Sequence, residues 1–175
     1  MLRSLASIAL RWGAIASVLA VSLIIAMYYL GRHPLMVAPF LDFRIILYGI
    51  FIFFSLREFR DYQQQGVLYF WQGMAGSFLL VVVAGTLSAI FFWIFGTLET
   101  DFVPSYVKQM TAYLQNFPQE DIDRIGKEVY ESNLKSLPTT NMAQLASLYL
   151  AQSVVIGLFV SIIMSVILRK QPNQN

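Results

Sequence analysis

Residues 70–98 read FWQGMAGSFLLVVVAGTLSAIFFWIFGTL, an unbroken run with no charged side chain. A helix rises about 1.5 Å per residue and the hydrocarbon layer is about 30 Å thick, so about 20 apolar residues are enough to cross it. The run holds the block Phe78 to Val83 and lacks the alternation that a strand of a membrane barrel needs. It reads as a membrane-spanning helix. Three further stretches pass the same length test. They are Trp12 to Gly31, uncharged throughout; about Pro39 to Phe59; and about Ala143 to Leu168, which stops at Arg169 and Lys170.

Composition points the same way. The 175 residues are 57% hydrophobic and 13% charged, about half the charge of an ordinary soluble domain. The absence of cysteine excludes a disulfide framework, thiolate zinc, iron–sulfur ligation and thiol catalysis. A single histidine, His33, leaves no basis for a histidine metal site within one chain, so no metal or other cofactor is expected. A net charge of +2, scattered along the chain, does not indicate nucleic acid. The predicted fold is all-α: one domain, an integral membrane four-helix bundle, with the lipid bilayer as its first partner.

The first span resembles a signal peptide only in having Arg3 and Arg11 ahead of it. Its core is too long and ends in Met27-Tyr28-Tyr29-Leu30, not a small-x-small cleavage site, so a retained anchor is expected. Arg3, Arg11, Arg57, Arg60, Arg169 and Lys170 all fall near helix ends on one side. The other side has Arg32 and Arg44, then four basic residues diluted through a long loop. The positive-inside rule weighs residues near the span ends, which puts both termini in the cytoplasm. Arg57 to Gly66 is then a compact cytoplasmic turn, with Gly66 suited to a left-handed conformation. Trp12, Tyr28, Tyr29, Tyr62, Tyr69, Trp71, Trp93 and Tyr149 are expected at the membrane interfaces.

Residues 99–142 then form an extracytoplasmic amphipathic helical cap between the third and fourth spans. Pro104 suits a first helical turn, and Tyr106, Met110, Tyr113 and Phe117 follow at helical spacing. Pro118 opens a second helix with Glu120, Asp121 and Asp123 in its first turn, where they complement the helix dipole. Four basic against seven acidic residues give the loop a net charge of minus three, which disfavours binding to anionic lipid. The apolar stripe either covers the protein's own body or offers a partner a docking face.

Asp42 and Arg44 are the informative charges. With Pro39 in the first turn of span two, both fall one to two turns inside a helix. Residues two apart point to nearly opposite helix faces, so Arg44 is expected to pair with Glu99 or Asp101 at the end of span three. The alternative makes all four charges the outer mouth of a transport path, as intramembrane ionisable groups often are. Gly157, Ser161 and Ser165, Gly85 and Ala89, and Gly13 and Ser17 form stripes that permit close helix approach. They serve either packing within the chain or contact with a second copy. His33, beside Pro34, is expected at the surface. No catalytic motif is present, so no catalytic residue is assigned and no enzyme activity is expected.

Arg57-Glu58-Phe59-Arg60-Asp61, then Gly66 and Phe70 with Gln72, and the closing Gly157 to Ile163 leading to Arg169-Lys170 resemble a bacterial membrane family of unknown function. This is domain-of-unknown-function family 4199, mainly of Bacteroidetes. The resemblance implies a multi-pass protein of the bacterial inner membrane and transfers no site residue. The expected function is a non-enzymatic accessory or assembly subunit, with a membrane or periplasmic protein partner docking on Tyr106, Met110, Tyr113 and Phe117. The alternative is a small oligomeric transporter or pore using Asp42, Arg44, Glu99 and Asp101.

Overall fold

The computed structural model describes residues 2–171, and almost all of them are helical. Four helices form the body: α1 (Leu2–Tyr29), α2 (Phe43–Glu58), α3 (Phe70–Leu98) and the last, α7 (Met142–Leu168). Between α3 and α7 lie α4 (Phe102–Gln115), α5 (Gln119–Ile125) and α6 (Lys127–Ser136). The fold is all-α. Among the described residues the isolated bridges consist of one antiparallel pair, Leu68 with Lys170.

Three helices, α1, α3 and α7, are long and apolar enough to cross a membrane. The fourth, α2, has 16 residues and rises only about 24 Å. Helix α3 packs along both α1 and α7, and α2 packs along α7 and α1. The seams are tight because small residues face large ones. A Cβ on Gly13 would meet the Leu80 carbonyl at 2.9 Å, and one on Gly157 would meet Val81 Cγ1 at 2.1 Å. Gly73 faces Ser165 and Gly85 faces Ser153 in the same way. The small-residue stripes therefore serve packing within the chain.

Three boundaries differ from the sequence reading. Helix α1 starts ten residues before Trp12, because Leu5, Ile8 and Ala9 are buried and extend the helix past Arg11. Helix α2 starts at Phe43 and not at Pro39. Pro34 and Pro39 each open a single 3-10 turn, Pro34–Met36 and Pro39–Leu41, so the chain reaches α2 through two short turns and not through a continuous α-helix. The second cap helix is broken at Gly126, whose φ of +89° favours glycine, into α5 and α6.

At one end of the body the chain turns through a π-helical stretch, Phe59–Gln63. Gly66, at φ +84°, donates its N–H to the Arg60 carbonyl at 2.9 Å, and Arg57 and Arg60 both flank Asp61. The Leu68–Lys170 bridge brings the end of α7 to this turn with N···O distances of 2.8 and 2.9 Å. Leu5 lies nearby, against Gly76. Arg57, Arg60 and Lys170 thus share one end, and the cap occupies the other. Arg11, more than half exposed, pairs with Glu58, which also accepts the Trp12 indole N–H at 2.8 Å and so ties α1 to α2.

Candidate functional site

The site is built on the start of α2. Asp42 is the residue before the helix, in extended conformation, and its Oδ1 accepts the Arg44 backbone N–H at 2.9 Å. That cap folds the carboxylate over the first turn, where it also takes Arg44 Nε at 2.9 and 3.0 Å from its two oxygens. The opposite-face rule fails here because Asp42 stands outside the helix. Arg44 therefore pairs with Asp42, and not with Glu99 or Asp101 as the sequence suggested.

The rest of the guanidinium is held by α7. Nη1 donates to the Tyr149 carbonyl at 3.1 Å and to Ser153 Oγ at 2.9 Å. Nη2 donates to Asp42 Oδ2 and to Gln152 Oε1, the latter at 2.9 Å. All five N–H donors of Arg44 thus have acceptors, and its charge lies 4.7 Å over the Tyr149 ring. Arg44 is 2% exposed and Asp42 5%. Removing such charges from water is offset only when every donor and acceptor is met, and here they are.

A hydroxyl cluster continues from this pair. Tyr48 faces Ser153, and Tyr149 faces Ser88 and Ser153. The Tyr149 ring stacks on Phe92 at 5.1 Å. Tyr149 is therefore a core residue and not the interface aromatic its type suggested. Toward the turn end, the close contact of Gly157 with Val81 separates this cluster from Ser165 and Gly73. A crevice of about 310 Å³ opens beside the ion pair, between Val37, Asp42 and Arg44 on one side and Ala151, Gln152, Val155 and Ile156 of α7 on the other.

The four charges grouped by sequence fall into two places. Arg44 bonds to Ser153, which faces Gly85, fourteen residues before Glu99 and so about 21 Å of helix away. Glu99 accepts from Tyr29 Oη at 3.4 Å, and Asp101 is exposed ahead of α4. They form no common mouth. The stripe on α4 also divides. Tyr106 is buried and Met110 packs with it on the core formed by Phe92, Phe102, Leu137 and Leu145. Tyr113 is exposed and pairs with Phe117 at 5.6 Å between ring centres. Half of the expected docking face therefore covers the protein's own body.

His33 is buried, against expectation. It lies between Phe102 at 4.6 Å and Tyr106 at 5.1 Å, and its backbone N–H donates to Gln109 Oε1. Its Nδ1 accepts from Leu35 N at 3.3 Å, and burial lowers its pKa to about 4. The imidazole is a neutral fastening between the α1–α2 connection and α4. Among the described residues no three His, Asp or Glu side chains gather as metal ligands.

Residues 11–170 match the model of the family described as "Protein of unknown function (DUF4199)", and the chain belongs to that family. No curated protein and no solved structure matches the chain.

Proposed function

We propose that this DUF4199 protein is a non-enzymatic accessory or assembly subunit of a bacterial inner membrane, acting through protein–protein contacts of its cap. The observation that carries the reading is that α5 and α6 have no fully buried side chain and meet the body mainly through Leu134 and through Tyr130, whose hydroxyl donates to the Leu114 carbonyl. Amphipathic helices in a folded chain ordinarily cover their apolar face, and here Ile125 and Val129 stay exposed. Residues 119–136 carry five acidic and three basic side chains, so the partner surface is expected to be basic. Arg44, by contrast, has no free donor left for a substrate, which speaks against a transport site there.

The shared end of Arg57, Arg60 and Lys170 supports a cytoplasmic turn and cytoplasmic termini, with the cap outside. The test is purification of the tagged full chain from its own host in mild detergent, with mass spectrometry of co-eluting proteins. A stoichiometric partner that is lost in Ile125→Asp and Val129→Asp, while the fold persists, supports the reading. A lone discrete species, or a partner indifferent to both substitutions, overturns it.

A further inference from the structure

We propose that the crevice beside Asp42 and Arg44 is a binding site for an uncharged, lipid-soluble molecule that presents a hydrogen-bond-accepting oxygen, such as a carbonyl. The proposal stands apart from the accessory reading of the cap. It rests on Gln152. Its Oε1 accepts from Arg44 Nη2 at 2.9 Å, and because arginine only donates, the oxygen must be the atom on that side. The amide is thereby fixed, and its Nε2 group keeps two donors with no partner among the described residues. Gln152 lines the crevice.

Three properties of the crevice define the occupant. It is neutral, because the Asp42 carboxylate and the Arg44 guanidinium cancel and Arg44 has no donor to spare. Its walls, Val37, Ala151, Val155 and Ile156, are apolar. Its opening lies on the outside of the bundle, where Ala151 and Val155 are exposed. Gln152 lies ten residues, about 15 Å, along α7 from Met142, on the body of the bundle and away from the cap. A bare amide donor facing apolar walls is costly to leave unmet, and an accepting oxygen in the crevice relieves that cost. A volume of about 310 Å³, apolar walls and a few fixed polar groups match the general character of small-molecule sites.

The experiment uses the full chain in lipid nanodiscs and a long-chain methyl ketone carrying a diazirine. Photolabelling is expected on Val37 and residues 151–156, competed by excess undecan-2-one and not by undecane. Gln152→Leu is expected to reduce labelling about fivefold or more, as the loss of one or two ordinary hydrogen bonds predicts. Ala151→Trp fills the opening while leaving every acceptor of Arg44 in place and is expected to abolish labelling, which keeps the test valid if Gln152→Leu misfolds. Equal competition by undecane, or labelling unchanged in folded Gln152→Leu or in Ala151→Trp, overturns the proposal. Cross-linking of two copies through residues 151–156 in place of probe labelling overturns it in favour of a second chain.

Discussion

Arg44 and Tyr149 make two kinds of contact at once: the guanidinium lies 4.7 Å over the ring and donates to the same residue's carbonyl at 3.1 Å. One side chain thus fixes both the rotation and the height of α2 against α7. This relation replaces the pairing with Glu99 or Asp101 and changes what substitution should do.

Arg44→Leu leaves the Asp42 carboxylate buried without its cation, and breaking a buried pair on one side costs about 3–5 kcal/mol. Adding Asp42→Asn should recover a large part of the loss, since asparagine still caps the helix and carries no charge. Thermal unfolding in detergent of the wild type, the single variant and the double variant measures this. A double variant no more stable than Arg44→Leu would contradict it.

The glycines of the bundle differ sharply. Gly157→Ala puts a methyl group 2.1 Å from Val81 Cγ1 and should destabilise by about 1–3 kcal/mol, with Val81→Ala relieving part of it. Gly49, inside α2, has nothing within 4 Å of its ideal Cβ. Gly49→Ala should stabilise by about 0.5–1 kcal/mol through helix propensity. Paired unfolding measurements distinguish the two signs.

His33 predicts an acid-sensitive cap. Its folded pKa of about 4 lies below the usual 6.5 because burial disfavours the imidazolium. Between pH 6.5 and 4 the unfolded chain takes up the proton first. Stability is therefore fully present above that window and falls as pH drops through it, by an amount on the order of 3 kcal/mol. His33→Asn retains an acceptor for Leu35 N and should remove this component of the pH dependence, read from unfolding midpoints at pH 4.5 and 7.5.

Gly126 sits at φ +89° and ψ 132°, a region almost closed to other residues. Gly126→Ala should cost about 1–3 kcal/mol locally. Because α5 and α6 have no fully buried side chain, the loss should appear as faster hydrogen exchange in residues 119–136 with little change in the global midpoint. A fall of the whole unfolding transition would show that the arm is coupled to the body.

The long apolar helices were legible because length and absence of charge suffice to identify them, as at residues 70–98. The start of α2 was also written in the chain. Asp42 ahead of an apolar run is an N-cap signal, and reading it would have freed the carboxylate to meet Arg44. Gly126 between two amphipathic segments was likewise a visible breaker. The burial of His33 was not legible. It depends on Phe102 and Tyr106, about seventy positions later, and no local pattern reports that contact. Arg11 misled for a related reason, since its charge hid the buried face of Leu5, Ile8 and Ala9.

The shortness of α2 has a consequence for the surrounding lipid. Helices α1, α3 and α7 rise about 40 Å, while α2 rises about 24 Å and is preceded by the single 3-10 turn Pro39–Leu41. The outward residues Ile46, Ile50 and Phe54 continue the apolar surface only along that shorter height. The protein therefore has a lopsided waist. A bilayer must thin beside α2, or the bundle must lean toward it, at a cost of fractions of a kcal/mol per Å. Either response gives the protein a preferred side, distinct from the rest of its perimeter, that neighbouring membrane components can sense.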